Sequence, residues 1–233
     1  YSNKSAAACI NSIDTALLGM KAPIGNGVQY LFMTKAFGYV RYGKWDSILQ
    51  MPPINTTYNN ATVLNHWARG MALAGKNQLP EAVIELAAMH IKMKAPDLKI
   101  TVAPFNAPIA AARIAENILE AVIAEKQNNL PKAIKLFKKA VKKEDALNYS
   151  EPADWLLPTR QYLGKALLRN GDAEKAVLIF QEDLFNNPKN HWSLSGLYQA
   201  YVMLKKEDEA AAIKKQYETA FAGNDISKGH IVF

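Results

Sequence analysis

Cysteine is nearly absent from this chain. Cys9 stands alone among 233 residues, which excludes an internal disulfide framework and any multi-cysteine zinc site. It reads as a small core residue of a first helix. Histidine is scarce as well. His66, His90, His191 and His230 show neither His-x-x-x-His nor His/Cys spacing, so no metal site is expected. No apolar run reaches the roughly 18 residues of a membrane helix, and no charged-then-apolar leader is visible. A Gly-rich phosphate loop is missing too, because Gly25-Asn26-Gly27 reads as a turn. Glu116 and Glu120 sit at i,i+4 without a nucleophile or second base, so no catalytic residue and no cofactor is assigned. The chain opens on Tyr1 rather than Met. It is read as a processed product or a piece of something longer, which leaves the compartment open.

What the chain does have is apolar content and positive charge. Hydrophobic residues make up 49%, ample for a buried core at this length. The formal net charge is +7, which suits an acidic partner, nucleic acid or an anionic membrane face. Much of the excess lies in Lys132, Lys135, Lys138, Lys139, Lys142 and Lys143, a stripe at helical spacing. Polyanion binding by such a stripe would be salt-dependent. Without an Arg-rich cluster or interleaved aromatics it reads as a solvated outer face, and no nucleic-acid partner is expected.

The strongest pattern is a repeat. Leu163, Leu167 and Ala176 recur 34 residues later as Leu197, Tyr201 and Ala210. That period belongs to a two-helix unit that stacks on copies of itself, because one unit cannot bury its apolar face alone. The clearest units are 157–188 and 191–223. In the first, Leu163-Gly164 and Leu167 mark helix A, Asn170-Gly171-Asp172 the turn, Ala176 and Phe180 helix B, and Pro188 the stop. Weaker copies occupy 114–147 (Ala121, Ala124, Ala133, Phe137), 63–94 (Gly70, Leu73, Ala82) and 29–51 (Ala36, Tyr39, Gly43). A leading helix over about 2–20 reads as half of a further unit. The expected fold is all-α: one domain over 1–233, an α-α superhelix of about five antiparallel helix pairs plus that leading helix. Spacing widens to 51 residues between Ala82 and Ala133 and to 43 between Ala133 and Ala176. The extra residues fall in loops near 95–108 and 144–154, and a third Pro- and Asn-rich loop covers 51–60. Insertions of this kind cluster on one face, often the binding face; otherwise they only cap the groove.

Leu163-Gly164, Ala176, Phe180 and Pro188 resemble the tetratricopeptide repeat family. The second unit departs from that pattern at Lys214, where an aromatic is expected, and at Ala222, where proline is expected. Three stretches are more particular. Glu144-Asp145-Ala146-Leu147 runs on through Glu151-Pro152, Trp155, Pro158 and Arg160. Asp183-Leu184, Pro188 and Asn190 lead to Trp192-Ser193-Leu194 and Gly196-Leu197. Trp67-Ala68-Arg69-Gly70-Met71-Ala72 stands upstream. Together they resemble a bacterial subfamily of obscure function, over roughly 29–223. Members carry a His-rich helical segment further upstream, so the resemblance implies that this chain is the C-terminal interaction part. It leaves the cytoplasm or periplasm of a bacterium as the location. The subfamily has Asn-Gly-Trp where this chain reads Asn190-His191-Trp192.

The resemblance implies a concave groove lined by helix A. Its candidate peptide contacts are Tyr30, Met33, Phe37, Trp67, Met71, Arg160, Lys165, Trp192 and Gln199, with Tyr30, Phe37 and Trp67 as aromatic anchors. Alternatively these aromatics pack on a neighbouring helix or on the Pro-rich loops. The Lys and Asn clamp for chaperone tails is replaced by Trp67, Met71, Ile118, Val122, Trp192 and Gly196, which makes that partner class unexpected. His66, Arg69 and Arg160 are candidates for an anion, or else tie down the loops through nearby acids. The function expected is a non-catalytic scaffold for a protein or peptide. The alternatives are an accessory or small-molecule-binding domain of an enzyme, with a site between the long loops and Arg69 and Arg160, and a subunit that dimerises through its unmatched first helix.

Overall fold

The computed structural model describes residues 15–221. Among them are ten α-helices, two short 3-10 turns and no strand. The helices are α1 (Ile24–Arg41), α2 (Trp45–Leu49), α3 (Asn59–Gly75), α4 (Leu79–Lys92), α5 (Pro108–Lys126), α6 (Leu130–Asp145), α7 (Thr159–Arg169), α8 (Ala173–Asn186), α9 (His191–Met203) and α10 (Glu207–Phe221). They pack as adjacent pairs, α1 with α2 through α9 with α10. Each odd-numbered helix also touches the odd-numbered helix of the next pair, and each even-numbered helix touches the one that follows it. The leading helix and Cys9 fall mostly or wholly outside the described residues. Only Thr15–Gly19 is seen there, as a 3-10 turn.

Every pair turns in the same way. Three residues separate its helices, and the middle one is left-handed: Gly43 (φ 61°), Asn77 (61°), Asn128 (60°), Gly171 (81°) and Lys205 (56°). The residue after it donates its N–H back five residues, from Lys44 to Tyr39, Gln78 to Leu73, Asn129 to Ala124, Asp172 to Leu167 and Lys206 to Tyr201. This closes the carbonyls at the end of the first helix. Gly43 to Asn77 and Gly171 to Lys205 both span 34 residues, so the first unit keeps the period although its side chains barely announce it.

The crossings depend on missing side chains. The Phe180 ring lies over both Gly164 and Gly196; a Cβ there would come within 2.5 Å and 2.2 Å of its Cζ. Leu119 occupies the same role over Gly70, and Trp45 over Gly75. Proline opens α4, α5 and α6 in the first turn, where its missing N–H costs nothing. Gln29 of α1 caps the next pair, its Oε1 accepting from the N–H groups of Asn60 (2.9 Å) and Ala61 (3.2 Å). No helix among the described residues is long and apolar enough to cross a membrane.

Candidate functional site

The face on which α1 meets α3 is packed by the chain itself. The loop between α6 and α7 inserts Trp155, whose ring lies 5.2 Å from both Phe37 and Trp67, while Phe37 and Trp67 lie 5.0 Å apart. The Trp155 indole N–H donates to the Leu157 carbonyl at 2.6 Å. Met33, Phe37, Trp67 and Met71 are buried. They leave no exposed ring for a peptide to seat on, and they move from the list of groove contacts to the core. The physical reason is the insertion: it delivers an aromatic side chain to the place a ligand would take.

A polar chain runs from the end of α1 to α7, α8 and α9. The Arg41 guanidinium stacks on the Trp192 ring at 3.9 Å and donates to Gln161 Oε1. Gln161 Nε2 donates to Asp183 Oδ2 at 2.9 Å, and the Ser193 hydroxyl donates to the same oxygen. Trp192 is therefore a platform for Arg41. Burial first, then the Arg41 charge, pulls His191 beside it down to about 4. Lys165 and Gln199 are half-buried. Burial holds the Lys165 ammonium below the usual lysine range, opposed by the charge of Glu125.

The anion candidates are occupied by acids of the protein and are not assembled together. His66 Nδ1 and Arg69 Nε meet the two oxygens of Glu85 at 2.6 and 2.7 Å. Burial raises this carboxyl, but the hydrogen bonds from His66 and Arg69 outweigh it and hold it below the usual range. Arg160 forks onto both oxygens of Asp145 at 2.6 and 3.0 Å and reaches Glu182 at 3.2 Å. It clasps α6, α7 and α8. Glu116 and Glu120 are engaged likewise, with His90 at 2.9 Å and Lys132 at 3.4 Å. The lysines of α6 lie on its exposed face, with Lys143 half-buried. No group of three or more metal-ligating side chains occurs among the described residues.

Several residues of the subfamily-like stretches prove to be ties. Glu144 accepts from the N–H (2.9 Å) and hydroxyl of Thr159 and so caps α7; burial raises its carboxyl above the usual range. Asn190 caps α9 by accepting from the N–H groups of Trp192 (3.0 Å) and Ser193 (3.4 Å). The residue before it, Lys189, is left-handed (φ 61°). The turn therefore forms with His191 as the first residue of α9.

The two long insertions meet each other. Asn106 Nδ2 donates to the Asn148 carbonyl (2.8 Å) and to Asp154 Oδ2 (2.7 Å), while its Oδ1 accepts from the Asn148 N–H (2.9 Å). Asn148 Nδ2 donates to the Pro104 carbonyl at 2.8 Å, and Ser150 Oγ to Asp154 at 2.8 Å. From below, the Tyr30 hydroxyl donates to the Ala153 carbonyl and Asn26 Nδ2 to the Asp97 carbonyl (2.9 Å). These clips hold both loops over the start of α1 and leave a pocket of about 410 Å³. Ile24, Gly27, Tyr30 and Leu31 of α1 line it with Ile100, Val102 and Phe105 of one loop and Ser150, Glu151, Pro152 and Asp154 of the other. Ile24 (60%), Val102 (58%) and Phe105 (56%) are largely exposed, so the apolar lining faces solvent. Of the candidate contacts only Tyr30 belongs to it, and Arg69 and Arg160 do not. The sequence pattern marked the loops and the Ile100-Thr101-Val102 run. It had no signal for the Asn106–Asn148–Asp154 clip, which joins residues more than 40 positions apart.

Comparison of the chain with protein-family models, with curated proteins and with solved structures finds no match.

Proposed function

We propose that the chain is a non-catalytic helical scaffold of the tetratricopeptide kind, a superhelix that binds a protein segment. We place the contact at the loop pocket rather than in the inner groove. One observation carries this reading: three exposed apolar side chains of one insertion, Ile100, Val102 and Phe105, line one pocket with the exposed Ile24 and Leu31 of α1, while Phe37 and Trp67 are covered by Trp155 and Trp192 is covered by Arg41. Exposed apolar side chains gathered at one place, rather than scattered singly, mark interaction sites. The left-handed turns at a fixed place in all five pairs support the repeat assignment.

Panning a random peptide library against the chain tests the reading. Enriched peptides are expected to share a large apolar residue. The double variant Val102→Asp, Phe105→Asp is expected to weaken them at least tenfold with the melting temperature unchanged within a few degrees. Failure to enrich any motif, or binding indifferent to the double variant, overturns it. A small apolar molecule in the same pocket is the second reading, favoured by a volume within the roughly 300–1,000 Å³ of small-ligand sites.

A further inference from the structure

We infer that the loop pocket selects an apolar group that carries a positive charge, so that the segment it takes has a large apolar side chain next to a lysine or arginine. The inference deepens the peptide reading and rests on it only for the nature of the partner. The pocket's own chemistry is tested apart from any peptide.

Charge at the rim is of one sign. Glu151 and Asp154 line the pocket, and no lysine, arginine or histidine among the described residues does. This happens in a chain whose formal net charge is +7, so the local sign opposes the global one. Ile100, Val102 and Phe105 line the same pocket as both acids. An apolar group in the pocket therefore has a carboxylate within reach of its polar end. Asp154 is fixed by Asn106 and Ser150, while Glu151 stands on the exposed surface, where its only described partner is the neutral Tyr149 hydroxyl. Neither acid is neutralised by a cation among the described residues. Asp154 acts on another lining residue: after burial, it is the second cause that pushes the Tyr30 phenol up. A bound carboxylate would meet the same repulsion.

Octylamine, protonated at neutral pH, and octanoate are the probes. They share a chain length and differ in the sign of the head. Each is titrated into the full chain at pH 7 and 0.1 M salt, with the methyl resonances of Ile24, Leu31, Ile100 and Val102 as the readout. Octylamine is expected to shift these methyls and to bind at least tenfold more tightly than octanoate. Glu151→Gln is expected to narrow the ratio several-fold with the melting temperature unchanged. Equal binding of the two, a preference for octanoate, or no shift with either overturns the inference. Selective octylamine binding in a chain that enriches no peptide keeps the charge selectivity and discards the peptide partner. Enriched peptides without basic residues do the reverse.

Discussion

Two junctions between helix pairs keep the 34-residue spacing, and two do not. Between the first and second pairs the connection is 50–58, after the five-residue α2, and between the fourth and fifth it is 187–190; polar caps such as Gln29 and Asn190 start the next helix. Between the second and third pairs, and between the third and fourth, the chain inserts 93–107 and 146–158. At the regular junctions side chains serve stacking: Phe180 over Gly164 and Gly196 is the model. At the long junctions the loops turn back over α1, deliver Trp155 to the core and leave Ile100, Val102 and Phe105 in the open. Exposed apolar side chains also occur on the repeat helices, as at Ile84, Ile91 and Phe185, but the insertions bring theirs together with Ile24 and Leu31 of α1 in one pocket.

The comparison can be broken most severely at a regular crossing. Phe180→Ala removes the ring that fills two crossings and is expected to cost about 3–5 kcal/mol, read by chemical denaturation. Gly196→Ala places a Cβ against that ring and is expected to cost about 1–3 kcal/mol through overpacking. If either variant melts like the parent, the stacking account of the regular junctions is wrong. Asn106→Ala takes away three hydrogen bonds that join the loops. At roughly 1 kcal/mol for a net bond, it should speed hydrogen exchange in 100–107 and 147–154 while 159–219 stays protected. A uniform loss across the chain would show that the loops are not a separate layer. Lys205→Gly relieves a left-handed lysine at the last turn and should raise stability by about 0.5–1 kcal/mol. The same substitution at Lys206, outside that region, should lower it or leave it unchanged.

A further effect is one of pH. His191 is held neutral by burial and by Arg41 of α1. Its folded pKa lies below the ordinary histidine value of about 6.5, so the unfolded chain binds more protons between that value and about 4. The stability that His191 contributes is therefore complete above the ordinary value and is lost as pH falls toward 4. His191→Gln should flatten this limb of the melting-temperature profile. An unchanged slope would show that the residue is not shielded by the Arg41–Trp192 stack.

Much of the helical architecture is legible in the sequence because repetition is a local signal. Leu163, Leu167, Ala176 and Phe180 announce a pair by spacing alone, and all ten α-helices overlap the segments that such spacing marks; α1, α3 and α5 begin ahead of theirs, and Gly25-Asn26-Gly27, which reads as a turn, lies inside α1. The first unit is harder to read, since its period is kept by Gly43 and a five-residue helix rather than by apolar side chains. The site was legible only as a place. Loop length flagged the insertions, but their closure depends on Asn106, Asn148 and Asp154 finding one another, and on Tyr30 and Asn26 meeting their carbonyls. Helical position named Phe37 and Trp67 as groove residues, with packing on a neighbouring helix or a loop as the alternative, but it could not single out Trp155 as the residue that covers them. Arg69 and Arg160 stood out as charges in unusual places, and the acids that satisfy them lie 15 or more residues away.

The central claim is that the insertions, and not the inner surface, receive the partner. The most direct measurement is a methyl chemical-shift map of the chain with the tightest enriched peptide bound. The account predicts shifts concentrated at Ile24, Leu31, Ile100 and Val102, with Val40, Ile118 and Leu194 unmoved. Shifts concentrated at Val40, Ile118 and Leu194, with the loop methyls silent, would contradict it.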